Sequence, residues 1–227
     1  RTNGTLWGWG NNWQGGIGDG TETNRSSPVQ IGLGTNWSFA APGYYGTRAI
    51  KTDGTLWTWG RNNSGQLGHG NTTSISSPVQ VGNETYWTTV VAPELYGATM
   101  AVSTGGKLWG WGENGVGPLG LGNTTSYSSP VQVGTDLGWS TKIAMFDHVS
   151  ALKSDGSGGL TLWGWGRNED GQLGIGDKTN RSSPVQVGID VDWNLVAVGK
   201  EHSIFTKNAT PETGKVTRIH GTSLAWK

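Results

Sequence analysis

The chain has 227 residues, among them 40 Gly, 14 Trp and no Cys. So many tryptophans require a folded core, which argues against disorder despite the glycine content. Acidic and basic residues balance at 16 each, so the charge predicts no nucleic-acid partner, and the missing Cys excludes disulfides, Cys-ligated zinc and a thiol nucleophile. No stretch approaches the ~20 apolar residues of a membrane span, and we expect no membrane insertion.

Three short motifs recur in the same order along the chain. Leu-Trp-x-Trp-Gly occupies residues 6–10, 56–60, 108–112 and 162–166. Ser-Ser-Pro-Val-Gln and a single Trp follow it, the latter at Trp37, Trp87, Trp139 and Trp193. All three series advance by 50, 52 and 54 residues, which identifies a Trp-rich tandem repeat.

Each repeat predicts four short strands in chain order. The first begins at the single Trp, as in residues 37–41, and the second covers residues such as 47–51. Asp53-Gly54 and its counterparts predict a two-residue turn into the Leu-Trp-x-Trp strand. A glycine-rich loop then leads to the Pro-Val-Gln strand. Four strands in each unit of a repeated array are typical of the blade of an all-β propeller.

The string from Leu162 to Gly176, Leu-Trp-Gly-Trp-Gly-Arg-Asn-Glu-Asp-Gly-Gln-Leu-Gly-Ile-Gly, resembles the repeat of the regulator of chromosome condensation (RCC1) family. The resemblance extends from residue 1 to about 207 and implies a β-propeller built from RCC1-like four-stranded blades. Family members usually have seven blades, whereas this chain has four repeats.

The repeat boundaries predict three whole units and one divided unit. The whole units are residues 37–86, 87–138 and 139–192, and residues 193–207 together with 1–36 supply the fourth. We therefore expect the N- and C-terminal strands to share one blade. A small ring closed by the chain itself and assembly with further chains both remain open. Residues 208–227 form a polar linker and a predicted β-hairpin tail, which resembles short strand repeats of phage structural proteins.

No motif predicts a cofactor, a metal site or a catalytic centre. The glycine-rich loops lack the Gly-Lys-Ser/Thr of a phosphate-binding loop, and the acidic turns lack the spacing of a calcium loop. His148 and His202 each lie nine residues after the single Trp of their unit, and His202-Ser203 matches a His-Ser pair common in RCC1 repeats. We interpret these histidines as structural hydrogen-bonding groups.

The repeats differ most in the loop between their first two strands. In a propeller such loops lie on one face, where they can bind a protein or glycan partner. The candidate partner-binding residues are Tyr44, Tyr45, Glu94, Tyr96, Phe146, Asp147, His148, Lys200, Glu201 and His202.

These patterns favour a non-enzymatic binding or structural protein. We expect an extracellular, cell-surface or virion-associated location. The alternatives are an exchange factor for a small GTPase, suggested by the resemblance, a secreted enzyme inhibitor, and a lectin that stacks sugars on exposed tryptophans such as Trp13.

Overall fold

A computed structural model describes residues 4–93 and 97–209. The predicted hairpin tail lies outside these residues. The regular secondary structure of the described residues is β-strand, apart from one short 3-10 helix at Trp13–Gly15. The strands are β1 (Trp7–Gly10), β2 (Arg25–Gln30), β3 (Trp37–Gly43), β4 (Gly46–Lys51), β5 (Leu56–Gly60), β6 (Ile75–Gln80), β7 (Trp87–Val91), β8 (Ala98–Ser103), β9 (Lys107–Gly112), β10 (Tyr127–Gln132), β11 (Trp139–Met145), β12 (His148–Ser154), β13 (Leu160–Gly166), β14 (Arg181–Gln186), β15 (Trp193–Val198) and β16 (Ser203–Lys207).

Three four-stranded antiparallel sheets confirm the predicted blades. Their strand orders are β3-β4-β5-β6, β7-β8-β9-β10 and β11-β12-β13-β14. Each blade starts at the single Trp of its repeat and ends on the Pro-Val-Gln strand. Consecutive blades pack through the second strand of one and the first strand of the next, as β4 packs against β7.

The strands of the divided repeat lie in two separate sheets. β1 pairs with β2, and β15 pairs with β16, but the described residues show no pairing between β1 and β16. These four strands have the order and sequence of one blade, but the expectation that they share a single sheet is not met within one chain. We call the β1-β2 and β15-β16 sheets the half-blades.

The turn between the second and third strands is longer than predicted. Lys51 N donates to Thr55 O, so the loop holds the three residues between them. Gly54 has a φ of +78°, which a residue with a Cβ rarely adopts. The loop is therefore a three-residue hairpin with a glycine in the left-handed position, rather than the predicted two-residue turn.

Tryptophans fill each blade and each contact between blades. The single Trp at the start of a blade packs edge-on against both tryptophans of the Leu-Trp-x-Trp strand, as Trp139 does against Trp163 and Trp165 at 5.8 and 5.7 Å. The second Trp of that strand reaches the preceding repeat. Trp59, Trp111 and Trp165 donate their indole N–H to Gly16 O, Gln66 O and Pro118 O at 3.0, 3.0 and 2.8 Å.

A buried asparagine organises each glycine-rich loop. Asn62 accepts from Leu67 N through its side-chain oxygen and donates its amide to Asn71 O and Thr73 O, at 2.9, 3.0 and 3.0 Å. Asn12, Asn114 and Asn168 make the same contacts and are likewise fully buried. These loops are thus part of the scaffold, in agreement with their interpretation as tight turns. In the described ranges, no helix is long and apolar enough to cross a membrane.

Candidate partner-binding surface

The loop between β3 and β4 presents two tyrosines on a very tight turn. Gly43 and Gly46 are cross-strand partners, so Tyr44 and Tyr45 alone connect the two strands. Tyr45 has a φ of +53°, a left-handed conformation that costs about 1–2 kcal/mol for a residue with a Cβ. The surrounding contacts must therefore hold this aromatic ring in place.

Those contacts come from two other segments of the chain. The Trp13 ring meets the Tyr45 ring edge-on, with centroids 4.8 Å apart, and the Tyr44 and Tyr45 centroids are 4.3 Å apart. The Arg61 guanidinium lies over the Tyr44 ring, 5.0 Å from its centroid. We call Trp13, Tyr44, Tyr45 and Arg61 the aromatic cluster.

The position of Trp13 in its repeat makes it a surface residue. Its counterparts Asn63, Gly115 and Glu169 are all exposed, in blades that have neighbours on both sides. Trp13 is itself 52% exposed. The scaffold therefore does not require an indole at this place, and the ring is available to a partner.

Backbone strain in the described residues coincides with this cluster. Gln14 and Tyr45 are the two non-glycine residues there with positive φ, at 65° and 53°. Gln14 follows Trp13 directly, and its counterparts Ser64, Val116 and Asp170 do not share that conformation. Strained residues of this kind concentrate at binding and switch sites.

Sequence reasoning named Tyr44 and Tyr45 but missed Arg61 as a member of the same surface. Arg61 occupies a position that holds Arg again in a later repeat, at Arg167, so it gave no sign of departing from the scaffold. Trp13 was singled out because no other repeat has Trp there, but its contact with Tyr45 joins residues 32 apart. Only the folded turn reveals that contact.

The remaining predicted residues divide by burial. Lys200, Glu201 and His202 are exposed, and Lys200 pairs with Glu201 at 3.1 Å. Phe146 is half-buried. Glu94 and Tyr96 lie outside the described residues.

The prediction that Asp147 and His148 contact a partner directly is wrong, because their side chains are buried, with 1% and 0% exposure. His148 Nε2 lies 2.8 Å from Ser203 Oγ, and Asp147 Oδ2 lies 3.2 Å from Arg167 Nη1. The network links β12 to β16 of the next repeat. It confirms the interpretation of His148 as a structural hydrogen-bonding residue.

The order Asp147, His148 and Ser203 resembles a hydrolase triad, but the serine proton is engaged elsewhere. Ser203 Oγ donates its single proton to Gln172 O at 2.9 Å, while His148 Nε2 lies 2.8 Å from the same oxygen atom of Ser203. A nucleophilic serine must instead give its proton to the imidazole. With the imidazole fully buried, this arrangement stabilises the contact between two repeats.

Asp147 remains ionised in this network. Burial opposes its charge, but the hydrogen bonds from His148 and Arg167 outweigh burial and hold the pKa of the carboxyl below its usual 3.8.

Comparison with known proteins identifies the fold family. The regulator of chromosome condensation (RCC1) repeat matches residues 53–92, 105–149 and 161–206, and a second RCC1 repeat description matches residues 38–66. These matches span more than half of the chain. The chain belongs to the RCC1 repeat family.

The RCC1 relatives differ widely in length. The ultraviolet-B receptor UVR8 of Arabidopsis thaliana is 32% identical over 127 residues, which cover 52% of this chain and 25% of the receptor. The structure of human WBSCR16 superposes with a TM-score of 0.74 at 24% identity, over 91% of this chain and 54% of that one. Prp20p from Saccharomyces cerevisiae gives 0.74 at 18% identity, over 88% and 51%.

This chain therefore spans about half the length of the solved propellers it matches and a quarter of the plant receptor. Its likeness to the solved structures establishes the β-propeller fold and the curvature of the array.

Proposed function

We propose that this RCC1 repeat chain is a non-enzymatic binding module that recognises a protein partner through the aromatic cluster. The observation that carries the proposal is the half-exposed indole of Trp13, held against Tyr45 at a position that is exposed in every repeat. Trp, Tyr and Arg are the residues most enriched in the energetic centres of protein interfaces.

Related propellers support a protein as the partner. Prp20p has been described with its binding to Gsp1p and histones, and yeast RCC1 (Prp20) has been solved in complex with Kap60. The present chain has a formal net charge of zero, whereas histones are basic, so we expect a different partner.

The rigidity of the cluster favours tight recognition. Tyr44 and Tyr45 sit on a two-residue turn between paired strands, and Trp13 lies in a loop anchored by buried Asn12. Side chains that are already ordered lose little conformational entropy on binding. An aromatic surface of this kind fits an apolar or aromatic protein segment, with Arg61 available at its edge for a carboxylate.

The test compares two variants in which an aromatic side chain of the cluster is truncated to alanine. Partners captured by the wild-type chain are identified, purified and titrated against Trp13→Ala and Tyr44→Ala by calorimetry. We expect each variant to bind at least about tenfold more weakly, the loss typical of an interface centre. Asn63→Ala, at the counterpart of Trp13 in the next repeat, is the matched control and should bind like the wild type.

Equal affinities of all three variants for a purified partner would contradict the proposal. Capture of the same partner by a chain in which Trp13, Tyr44 and Arg61 are all alanine would contradict it as well. Circular dichroism spectra verify that each variant is folded.

Two alternative functions, a lectin and an exchange factor, can each be tested by a separate measurement. A lectin would show saturable quenching of Trp fluorescence on a glycan panel, which Trp13→Ala would abolish. An exchange factor would accelerate nucleotide release from a small GTPase. The virion, cell-surface or extracellular location stays a prediction from the sequence, and the tail that suggested it lies outside the described residues.

A further inference from the structure

A lysine lies against tryptophan rings in three of the four repeats. Lys51 is the cross-strand partner of Trp37, and its Nζ lies 4.8 Å from the Trp37 ring centroid and 3.9 Å from that of Trp57. Lys207 Nζ likewise lies 4.6 Å from the Trp193 ring centroid. An ammonium at such distances is attracted to the negative face of an aromatic ring. The rings therefore form a cation site, which the chain fills with its own lysine.

A carboxylate completes this cation site in the blade that begins at Trp139. Lys153 Nζ lies 5.4 and 5.0 Å from the ring centroids of Trp139 and Trp163. The same ammonium pairs with Asp136, which stands three residues before Trp139, at 2.6 Å. One ammonium thus contacts two indole rings and one carboxylate.

The blade that begins at Trp87 has a serine where the other repeats have the lysine. Ser103 is the cross-strand partner of Trp87, the position that Lys51 and Lys153 hold in their blades. The Ser103 hydroxyl accepts from the indole N–H of Trp109 at 3.2 Å. This blade therefore keeps the two rings but has no ammonium at the lysine position.

The carboxylate of the same blade also lacks an internal cation. Glu84 stands three residues before Trp87, as Asp136 does before its own Trp. In the part of the chain that the structure describes, Glu84 forms no ion pair, and no cationic side chain lies over the ring of Trp87 or Trp109. Lys107, which pairs with Ser103 across the strands, is exposed.

The two rings and the carboxylate line an open groove of about 490 Å³. All of its residues lie in two whole repeats, and its walls include Glu84, Tyr86, Trp87, Trp109 and His69. The corresponding groove in the blade that has the lysine encloses about 240 Å³. We call the larger one the Glu84 groove. It has room for a group that the chain does not supply.

Tyr86 gives the Glu84 groove a third aromatic wall. Its ring centroid lies 5.1 Å from that of Trp87 and 6.3 Å from that of Trp109, and the planes of Tyr86 and Trp109 are within 20° of parallel. Burial and the negative charge of Glu84 raise the pKa of Tyr86, so the phenol stays neutral. The residues at this position in the other repeats are Asn36, Gly138 and Asp192.

The imidazole in the Glu84 groove does not supply the missing charge at neutral pH. His69 Nε2 lies 2.9 Å from Thr58 Oγ1. Burial lowers the pKa of His69 below its usual 6.5, because the charged form loses hydration. The negative charge of Glu84 is thus the formal charge in the groove.

We infer that the Glu84 groove binds an alkylammonium group from outside the chain, of the class of a lysine side chain and its methylated forms. The other repeats show what these rings bind, because each places its own lysine ammonium there. Three aromatic rings and a carboxylate are also the surroundings that favour such cations in general. The groove shares no residue with the aromatic cluster, so this inference does not rest on the proposed function.

A titration with small cations tests the inference on the intact chain. The probes are n-butylammonium, which is a lysine side chain without its backbone, and tetramethylammonium, each followed through the indole N–H signal of Trp109 by NMR. We expect a saturable shift of that signal, and sodium chloride at the same ionic strength should not produce it. An end-blocked lysine peptide, titrated in parallel, distinguishes a protein side chain from a free amine by its tighter binding.

Two substitutions in the groove and one matched control assign the site. Glu84→Gln should weaken binding of both probes at least about fivefold, because the carboxylate no longer attracts the cation. Ser103→Lys supplies the lysine of the other repeats, and we expect it to abolish the shift by filling the groove. Asp136→Asn removes the carboxylate of the groove that is already filled, and the shift at Trp109 should be unchanged.

Three outcomes would overturn the inference. The first is the absence of a saturable shift at Trp109 with both probes in a protein whose spectrum is that of a folded chain. The second is equal affinity of the wild type and Glu84→Gln, and the third is undiminished binding by Ser103→Lys. Trp13→Ala should leave the affinity for both probes unchanged, so failure of the proposed function and failure of this inference are distinguishable.

Discussion

Trp111 and Trp9 occupy the same place in the same motif, but the first is fully buried and the second is 63% exposed. Both lie on the third strand of their repeat, but among the described residues only Trp111 has a preceding glycine-rich loop and a paired second strand against it. In a repeat protein each unit is buried chiefly by its neighbours. The comparison shows that the half-blades have the sequence of an interior and the exposure of a surface.

The largest expected effect breaks a buried contact between two consecutive repeats. Trp111→Ala removes an indole with no exposed area and its hydrogen bond to Gln66 O. We expect the free energy of unfolding to fall by about 3–5 kcal/mol, measured in urea by circular dichroism. Trp13→Ala, which truncates a half-exposed indole, is the control and should cost about 1 kcal/mol or less. Equal losses would contradict the assignment of Trp111 to the core.

The next effect concerns the contact between β12 and β16 of the following repeat. His148→Ala removes the imidazole that lies 2.8 Å from Ser203 Oγ and faces Asp147. The loss of a buried charge-assisted contact should lower the unfolding free energy by about 1–3 kcal/mol. His202→Ala, at the exposed counterpart position, should change it by about 0.5 kcal/mol at most. A larger effect of His202→Ala than of His148→Ala would contradict this description of the contact between β12 and β16.

A pair of glycine variants isolates the contact between a glycine-rich loop and an indole. Gly120 and Gly174 have similar φ, +72° and +68°, so alanine strains both backbones alike, but only Gly120 faces a Trp. Gly120→Ala should destabilise the fold more than Gly174→Ala by about 1–2 kcal/mol. Thermal unfolding measures the difference, and equal effects would contradict the close contact of Gly120 with Trp165.

The smallest effect is a pH dependence. Because the folded-state pKa of Asp147 lies below its usual 3.8, its ionised form stabilises the fold above that value. That stabilisation disappears as the pH falls through the lower, folded-state pKa. Urea titrations from neutral pH to about pH 2 should show a smaller loss for Asp147→Asn than for the wild type. Parallel curves would contradict the role of Asp147 in the network.

The sequence predicted those features that recur. Trp59, Trp111 and Trp165 stand at one motif position, so their common role in packing followed from the repeat, as did the blades and their strand order. Successive side chains of a β-strand point to opposite faces of the sheet. The two tryptophans of each Leu-Trp-x-Trp motif therefore lie on one face, and the leucine and the residue between the tryptophans lie on the other. Such local patterns predict the structure well because the same residues make the same contacts in each repeat.

The features that the sequence did not predict depend on side-chain burial, on local backbone conformation and on the curvature of the array of blades. Phe146 and His148 lie two residues apart in the same variable loop. Nothing in their spacing predicts that the His148 side chain is buried against Ser203 of the next repeat. The strained φ of Tyr45 is likewise not visible in its sequence. The repeat boundaries showed that the first two and last two strands together number the four strands of one blade. Whether those strands pair depends on the angle between consecutive blades, which the sequence does not give.

The affinity of a purified partner for the Trp13→Ala variant tests the aromatic cluster most directly. Calorimetric titration of wild type and variant with the same partner gives that affinity. We predict at least about tenfold weaker binding by Trp13→Ala than by the wild type. Equal affinities would contradict the role of the aromatic cluster in partner binding.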